Sequence, residues 1–341
     1  MSDLSKATRE LFVRSLVNQV FYKLPFLEEL QRRRQIAFKG GTSIKRLVDT
    51  AEIDDLAQDY SVNEPLTDGK KETLEKPSFT WRNSQLPLRY DADEELENVT
   101  AGHEEQLLDV SEHLAKKGQK GVKIRLEKQL FNDGSTTAVA DSGKKFQSLI
   151  SALDHDTTYG TLSRDLSGGT RDWWQGSDPA GLLESISSSS QDTPYNLTLY
   201  NLRKWINETN IAHNMESEAD LYIMMCPTLW DKLAAEMESR LGGYKAGDFQ
   251  RQGIRKMDFD GHQVVSCPYL QKSSTTKTWL FILNMADWEL RIHTSRPFKL
   301  TDFVWQGQNV NGYDMKLARI LWKGNFMCWK PNGSMWMSNV A

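Results

Sequence analysis

The stretch that decides the fold spans residues 93–131 and reads DEELENVTAGHEEQLLDVSEHLAKKGQKGVKIRLEKQLF. Its first half is acidic and its second half is basic, an order that suits the dipole of an α-helix. Leu107, Val110 and Leu114 recur at helical spacing, and the Asn-Asp-Gly sequence at 132–134 provides a stop signal. The stretch therefore predicts one long, exposed helix.

Three interior glycines, Gly102, Gly118 and Gly121, interrupt this predicted helix. Each of them costs about 1 kcal/mol relative to alanine. An unbroken helix rises about 1.5 Å per residue, so this one would be about 55 to 60 Å long. Because an ordinary compact domain needs no helix of that length, we expect it to act as a strut.

The composition excludes several classes of protein. With 341 residues the chain can form one large domain or two or three small ones. A net charge of -4 excludes a global positive field that would recruit nucleic acid or an anionic membrane. The longest apolar runs, at 221–226 and 279–283, are too short to cross a bilayer. Without a signal-peptide pattern at the N-terminus, we expect a cytosolic protein.

The three cysteines are Cys226, Cys267 and Cys328, and they lie far apart in the sequence. Their odd number and the lack of a CxxC motif favour buried, reduced side chains over a disulfide or a zinc site.

The N-terminal part of the chain predicts helices. Residues 3–35 have leucine and valine at mixed three-, four- and five-residue steps, and Pro25 begins a second short helix. Arg32, Arg33 and Arg34 end that helix, where cations interact favourably with the helix dipole. A nucleic-acid contact is the weaker explanation, because no aromatic residues are interleaved with these arginines.

Residues 38–91 predict a long two-stranded arm with a mobile tip. Strand-like runs at 43–48, 78–83 and 86–90 flank a polar middle. Isolated two-stranded hairpins are marginal in water, so an arm of this length needs a surface to lie on. Its exposed strand edges would be a liability in a monomer and a docking surface in an assembly.

The arm also contains the candidate functional residues. Its lysines are Lys70, Lys71 and Lys76, and Trp81 and Arg82 follow in the next strand. Protection of a strand edge is the simpler explanation of the lysines. The sharper hypothesis is that all five residues contact a neighbouring subunit.

The remaining sequence predicts a mixed α/β part followed by a β-rich part. Helices are predicted at 144–153, 196–215 and 228–241, the last one after a buried strand at 221–226. Later strands are predicted at 254–259, 262–267, 279–283, 288–293 and 303–306, with a turn at 260–261. A last hairpin spans 318–336, with turns at 323–325 and 331–333. Since eight of the 11 tryptophans lie from Trp205 onward, the main core is expected there.

A search for catalytic and ligand-binding motifs is mainly negative. No nucleophile elbow, phosphate loop, HExxH or dinucleotide motif is present, and we expect no enzyme, cofactor or metal site. The most metal-like cluster, Asp154-His155-Asp156, is better explained as a solvated helix end. The pair Asp258 and Asp260 belongs to a turn more readily than to an acid–base site. The Trp173-Trp174 pair fits a buried anchor better than a stacking site for a base or a sugar.

The order of these parts resembles the major capsid proteins of tailed bacteriophages, which have the Hong Kong 97-type shell fold. The resemblance covers nearly the whole chain and is carried by diffuse motifs. They are the QSLI, YG and WW sequences at 147–150, 159–160 and 173–174, the strand–helix step at 221–230, FDGHQVV at 259–265 before Pro268, FILN at 281–284 before Trp288, and the closing strand pair at 319–340.

The resemblance implies an α+β fold in five parts. They would be an N-terminal helical arm (1–37), an extended loop (38–92), a spine helix with part of a peripheral domain (93–194), the first part of an axial domain (195–242), and its remainder with a β-rich return to the peripheral domain (243–341). It implies no catalytic residue. The isopeptide crosslink of some family members cannot be placed here by motif, and we expect a separate scaffolding protein or none.

The implied function is that of a structural protein of the virion. Copies would assemble in the cytoplasm of a host bacterium into an icosahedral shell of hexamers and pentamers around double-stranded DNA, together with a portal protein and with scaffolding or decoration proteins. A mildly acidic chain suits a container, because dense basic charge would hinder the passage of DNA.

Three other interpretations stay open. The chain could form an encapsulin-like cellular nanocompartment around an enzyme cargo. It could be an enzyme whose site uses Asp258, Asp260 and His262. It could be a sheet-edge or sugar-binding module built on its tryptophans, in which case it would be a stable monomer.

Overall fold

A computed structural model describes residues 24–50, 56–57, 59–60, 69–91, 110–131, 144–145, 147–154, 158–164, 172–176, 196–212, 220–241, 256–270, 278–305, 315–337 and 340. The chain divides into two compact units. The first includes Gln85–Ile124 and Phe298–Leu321, and the second comprises Pro25–Ser84, Arg125–Pro297 and Trp322–Ala341. The division thus falls inside one helix and two strands.

The described elements form a mixed α and β fold. The helices are α1 (Pro25–Arg34), α2 (Val110–Leu130), α3 (Leu149–Leu153), α4 (Leu199–Ala212) and α5 (Pro227–Leu241). The strands are β1 (Gln35–Phe38), β2 (Ser43–Lys45), β3 (Val48–Asp49), β4 (Leu74–Glu75), β5 (Ser78–Thr80), β6 (Arg82–Asp91), β7 (Leu221–Met225), β8 (Lys256–Phe259), β9 (His262–Ser266), β10 (Leu280–Asn284), β11 (Trp288–His293), β12 (Lys299–Leu300), β13 (Val304–Trp305), β14 (Met315–Cys328) and β15 (Met335–Met337).

The long helix predicted over residues 93–131 is confirmed in its second half. Helix α2 has 21 residues and ends one residue before the predicted stop. Both Gly118 and Gly121 lie inside it, so neither glycine ends the helix. Residues 92–109, which carry most of the acidic half, lie outside the described residues.

The first unit packs α2 against strands. Strand β14 pairs antiparallel with β12 and with β13 through its residues 316–321. Val122 on the helix and Leu88, Ile320 on the strands are buried. The helix approaches the strands closely at Gly118, where an added Cβ would lie 2.7 Å from Cδ1 of Ile320. An alanine at this contact would therefore require the side chain of Ile320 to shift.

The core of the second unit is a five-stranded sheet in the order β15-β10-β7-β9-β8. Strands β7 and β10 are buried at every residue, which explains their continuous apolar sequences. Strand β7 runs parallel to β9, and α5 follows it from Pro227, as the sequence predicts. Aromatic rings fill the space around this sheet, and Phe281 stacks on Trp336 at 6.3 Å.

A second set of strands completes this unit. Strand β1 pairs parallel with β11, and β11 pairs antiparallel with residues 324–328 of β14. The ring of Trp288 on β11 stacks on Phe326 at 4.9 Å. Helix α1 packs nearby, with the ring of Phe26 at 5.8 Å from Phe326.

Several sequence predictions about element boundaries are wrong. Residues 35–37 were predicted as helical, but they pair with β11 as part of β1. Residues 144–148 precede α3, which begins after Ser148 because the Ser148 side chain accepts a hydrogen bond from the N–H of Ser151. Helix α4 begins at Leu199, three residues after the predicted start.

The predicted closing hairpin is also wrong. Residues 323–325 form no turn, since β14 continues through them. Strand β15 pairs with β10 in the five-stranded sheet. The second predicted turn is confirmed as a short 3₁₀ helix at Pro331–Gly333.

The cysteine prediction is confirmed. Cys226, Cys267 and Cys328 are buried, and all three are free thiols. Burial raises the pKa of both Cys267 and Cys328 above the usual thiol value. In the part of the chain that the structure describes, no helix is long and apolar enough to span a bilayer.

Candidate assembly surface

The arm predicted over residues 38–91 contains two small antiparallel sheets in its described part up to Thr80, whereas β6 at its end pairs with β14. Strand β2 pairs with β5, and β3 pairs with β4 further along the arm. Beyond these strands, Thr50 donates hydrogen bonds from its N–H (2.7 Å) and its hydroxyl (2.9 Å) to the carbonyl of Thr73. The two-stranded arm is therefore confirmed for the described residues up to Thr80, and it is wrong for residues 82–91, which join the sheet of β14 because β14 offers them a pairing edge.

The root of the arm is fixed to the second unit. Ile44 and Phe79 face inward and are only 4% and 3% exposed. The ring of Phe79 lies 5.1 Å from Tyr159 and 5.4 Å from Trp329. The N–H of Ser78 donates a hydrogen bond to the carbonyl of Gly160 at 2.7 Å. This part of the arm needs no partner subunit to be stable.

The outer part of the arm is exposed and apolar. Leu47 and Leu74 are each 61% exposed, Tyr60 is 67% exposed and Leu56 is 40% exposed. Large apolar side chains at such exposure mark interaction surfaces when they occur together. Sequence reasoning singled out the lysines of the arm and missed these four residues, because single apolar residues in a polar stretch show no periodicity.

The structure separates the five candidate contact residues into two groups. Lys70, Lys71 and Lys76 are exposed on the arm beside β4. Trp81 and Arg82 are half-buried at the body. Contact of these five residues with a second copy stays a prediction.

Trp81 and Arg82 already have neighbours in their own unit. The Trp81 ring lies 5.8 Å from the ring of His293, and Nζ of Lys323 lies 6.0 Å from its centre. Burial lowers the pKa of the Arg82 guanidinium below its usual value. Trp81 is thus held against β11 and β14 by contacts within its own unit.

A cluster of charges holds the arm at Arg46, just after β2. Its Nη1 lies 3.3 Å from Oε1 of Glu289, and Glu289 also pairs with Arg291 at 2.9 Å. Both guanidinium groups lie over the ring of Trp329, at 5.8 Å for Arg46 and 5.5 Å for Arg291. The Trp329 ring and the Glu289 carboxylate thus join the arm to the body.

An open groove of about 350 Å³ lies between the arm and the body at this point. Its walls are formed by residues 46–49 of the arm and by residues of the loops after β10 and β14, together with Trp173. Asp49 and Asp287 offset the charges of Arg46 and Lys330, so the groove has no net sign. The groove leaves space beside the arm, and its balanced charges do not indicate a binding site for a charged ligand.

Two glycines direct the chain into the arm. Gly40 and Gly41 have φ angles of +87° and +86°, which side chains of L-residues rarely adopt. An added Cβ at Gly40 would have nothing within 4 Å, so the backbone conformation alone requires glycine there. The dipeptide follows β1 and precedes β2, at the root of the arm.

The candidate acid–base residues form a surface turn. Asp258 is exposed, and Asp260 adopts a positive φ of 48° at the end of β8. Both carboxylate oxygens of Asp260 accept hydrogen bonds from Arg203, at 2.6 and 2.9 Å. The Arg203 guanidinium holds the pKa of Asp260 below its usual value, with a smaller contribution from His262. This carboxylate is bound by an arginine and is poorly suited to act as a base.

The other candidate sites have structural explanations too. Asp154 is buried at the end of α3, and residues 155–156 lie outside the described residues. Trp174 is buried and donates a hydrogen bond from Nε1 to the carbonyl of Tyr159 at 2.9 Å, which confirms an anchor. Among the described residues, no three histidine, cysteine or acidic side chains are close enough to hold a metal ion.

Arg164 is a buried residue that sequence reasoning missed. Its guanidinium donates to the carbonyls of Ser151 (2.9 Å) and Ala152 (2.6 Å) in α3 and to that of Trp174 (2.7 Å). Burial lowers the pKa of Arg164 to about 10. The side chain orders the loop at 158–164 and carries no ligand-binding signal.

The fold has relatives of known structure. A chain from the capsid asymmetric unit of cyanophage A-1(L) matches with a TM-score of 0.70 and 13% identity, over 100% of this chain and 99% of that chain. A chain from the capsid of Myoviridae phage XM1 matches with a TM-score of 0.59 and 15% identity, over 97% of each chain. The chain has the fold of a tailed-phage capsid protein. The likeness to a mixed α and β capsid fold that was expected from the sequence is therefore confirmed.

The capsid fold extends beyond phages. The encapsulin SrpI of Synechococcus elongatus PCC 7942, solved as a holo complex, matches with a TM-score of 0.54 and 10% identity, over 100% of this chain and 96% of that chain. No family model and no curated protein matches the chain by sequence. At these identities the comparisons establish the capsid fold, and function requires a separate argument.

Proposed function

We propose that this chain is the major capsid protein of a tailed bacteriophage or prophage. Copies of it assemble into the icosahedral head shell that encloses packaged double-stranded DNA. The observation that carries this proposal is the match of the capsid fold over the full length of phage shell subunits. A shell subunit is a structural protein, which agrees with the binding of Asp260 by Arg203.

The arm supports assembly because large apolar side chains are exposed in the described residues of its outer half. A closed shell of identical subunits requires two different surfaces that meet between copies. The exposed side chains of Leu47, Tyr60 and Leu74, next to the lysines at 70, 71 and 76, provide one such surface. An arm that reaches the next subunit buries area without a large flat face.

The parts of the fold follow from this assignment. Residues 1–37 form the N-terminal arm, although residues 35–37 belong to β1. Residues 38–92 are the extended loop, and α2 is the end of the spine helix within 93–194. Residues 195–242 begin the axial domain, and 243–341 contain its remainder and the return to the peripheral domain. This architecture is the Hong Kong 97-type arrangement.

The partners follow from the same assignment. The chain contacts itself in hexamers and pentamers, and a portal protein occupies one vertex. A scaffolding protein and decoration proteins are further partners. DNA is enclosed without sequence-specific contacts, which fits a net charge of -4. The protein assembles in the cytoplasm of the host bacterium and is found in the virion.

An encapsulin-like nanocompartment is the second candidate function, because the chain also matches an encapsulin shell over its full length. Such a shell encloses an enzyme cargo and needs neither a portal nor DNA. The TM-score of 0.54 for the encapsulin is lower than the 0.70 for the cyanophage capsid, which favours the phage shell.

Electron microscopy of the purified protein, with its 260/280 nm absorbance ratio, tests the proposal. Closed shells are the expected result. Shells purified from a phage lysate with a nucleic-acid absorbance ratio support a virus, whereas shells that contain protein cargo support a compartment. A compact monomer under all assembly conditions would contradict both.

A further inference from the structure

The sheet of the first unit has one face against α2 and one open face. Strand β6 pairs with β14 in this sheet. An added Cβ at Gly118 on α2 would lie 2.8 Å from Cδ2 of Leu88 on β6 and 2.7 Å from Cδ1 of Ile320 on β14. Because successive side chains of a strand point to opposite faces, Arg89 and Arg319 point away from the helix. Both are exposed, and we call the side on which they lie the open face.

The pairing of the strands adds a third cation and apolar side chains to the open face. Lys299 on β12 lies opposite Leu321 of β14, two residues from Arg319 and on the same side of the sheet. Diagonal neighbours of this kind lie about 7 to 8 Å apart. Val304 on β13 lies opposite Leu317 and is 56% exposed. The open face therefore combines basic and apolar side chains.

The cations of the open face are available to an external partner. Among the described residues, Arg89, Lys299 and Arg319 form no side-chain ion pair. Two acidic residues lie near them, since Asp91 is the last residue of β6 and Asp302 lies in the link between β12 and β13. The three cations exceed these two acids, so the open face has a net positive charge.

The tip of the arm, residues 50–69 between β3 and β4 in the sequence, has the opposite charge. It contains six acidic residues and no lysine, arginine or histidine. The acidic residues are Glu52, Asp54, Asp55, Asp59, Glu64 and Asp68. Because the net charge of the chain is -4, the residues outside the tip carry a net charge of +2. Negative charge is thus concentrated in the tip.

The described residues of the tip include exposed apolar side chains. Leu56 is 40% exposed and Tyr60 is 67% exposed. Asp59, next to Tyr60, is exposed and forms no ion pair in the described part of the chain. An acidic and apolar segment complements a basic and apolar face, because opposite charges determine partner choice and orientation while apolar contacts provide burial.

We propose that the tip of the arm in one copy docks on the open face of another copy. This inference rests on the proposed function and deepens it, because a closed shell requires two different surfaces that meet and the open face is the second one. Ion pairs between the acidic residues of the tip and the three cations fix the position of the tip. Leu56 and Tyr60 cover the apolar side chains of Val304 and Leu317.

Charge reversal on each side tests the docking. The reversed-face variant carries Arg89→Glu and Arg319→Glu. The reversed-tip variant carries Asp54→Lys, Asp55→Lys and Asp59→Lys. At an ionic strength of about 0.15 M, we expect each variant alone to lose the association that the wild-type chain shows, because the reversed side then repels its partner. Sedimentation velocity and electron microscopy measure the association.

A mixture of the two variants separates docking between copies from docking within one copy. In the mixture, the acidic face of one variant can accept the basic tip of the other, and the unchanged tip and face can also pair. We expect the mixture to associate although neither variant does so alone. Docking within one copy would leave the mixture unassociated.

The matched control carries Lys128→Glu and Lys232→Glu, because these substitutions reverse two exposed cations outside the open face. It should associate as the wild-type chain does. Urea denaturation of the unassembled chains checks that all variants keep the stability of the wild-type subunit.

Three results would overturn the inference: normal association of either reversed variant, a mixture that does not associate, or a control that fails in the same way. Normal association of the reversed-tip variant alone would assign the open face to a different polyanion, such as nucleic acid. If the wild-type chain and both reversed variants form shells, only this inference is wrong. A wild-type chain that stays a monomer would contradict the proposed function as well.

Discussion

The backbone N–H of Cys328 donates a hydrogen bond to the hydroxyl oxygen of Tyr159 at 2.7 Å, across 169 positions of sequence. Tyr159 is fully buried, and its ring contacts Phe79 at the root of the arm and Trp174 in the neighbouring loop. This single side chain thus links the end of β14, the arm and a loop that has almost no regular secondary structure. The loop is ordered by its contacts with the core.

Replacement of Tyr159 by phenylalanine should destabilise the subunit by about 1 to 3 kcal/mol, because the N–H of Cys328 loses its acceptor in a site closed to water. Urea denaturation of the unassembled subunit measures the change. Tyr200→Phe is the matched control, since Tyr200 is 74% exposed, and it should change the free energy of unfolding by less than about 0.5 kcal/mol. Equal stabilities of the two variants would contradict the role of Tyr159.

Two glycines in α2 should respond in opposite ways to alanine. At Gly121 the new Cβ meets only Cδ2 of Leu86, at 3.5 Å, so Gly121→Ala should stabilise the subunit by about 1 kcal/mol through helix propensity. At Gly118 the Cβ meets Cδ1 of Ile320 at 2.7 Å and Cδ2 of Leu88 at 2.8 Å. Overpacking should make Gly118→Ala less stable than Gly121→Ala by about 1 to 3 kcal/mol.

Thermal or urea unfolding of both alanine variants provides the measurement. The two substitutions are chemically identical and lie in one helix, so each controls for the other. The close approach of α2 to the strands would be refuted if Gly118→Ala gained as much stability as Gly121→Ala.

The carboxylate of Asp260 should titrate below its usual range while Arg203 is present. Its pKa is lowered in the folded state, so the pair stabilises the fold above the unfolded pKa, and this contribution is lost as the pH falls through the folded pKa. Arg203→Ala should raise the midpoint toward the ordinary aspartate value, as measured by NMR of the side-chain carboxyl carbon. A midpoint that stays low without Arg203 would require another cause, such as His262.

An acidic substitution in the outer arm should prevent the assembly of shells. Leu74 is 61% exposed, so Leu74→Asp should leave the fold of the subunit intact and add a charge on the surface that we propose contacts a second copy. Leu74→Met keeps an apolar surface and should assemble. Sedimentation and electron microscopy compare the two variants, and normal shells of Leu74→Asp would exclude Leu74 from the contact.

The sequence predicts correctly those elements whose local pattern of apolar residues agrees with their burial in the fold. Strands β7 and β11 have the predicted core positions because continuous or alternating apolar residues match their burial. The turn at Asp260 and Gly261 and the start of α1 at Pro25 follow from local backbone chemistry. In each case the information lies within a few neighbouring residues.

The wrong predictions have a shared physical cause in tertiary packing. Gly324 looks like a turn residue, but it is needed where an added Cβ would lie 2.6 Å from both the carbonyl of Arg291 and the ring of Trp322. Strand β15 pairs with the distant β10 because the buried sheet offers it a free edge. Residues 35–38 form a strand for the same reason, next to β11.

The candidate surface was predictable only in outline. Charge and turn composition indicate an arm and single out its lysines. Two other contacts join residues that are far apart in the sequence. Arg46 contacts Glu289 and Trp329, and Glu127 caps α1. No local pattern marks such pairs, since each depends on the completed fold.

The paired glycines at 40 and 41 affect the direction of the arm without affecting the packing of the subunit around them. Their positive φ angles set the direction in which the arm leaves β1, and an added Cβ at either position would meet no side chain within 4 Å. Substitutions there should redirect the arm while the subunit keeps its fold. In a container built from such subunits, this dipeptide would be the place at which curvature, and hence internal volume, can be tuned.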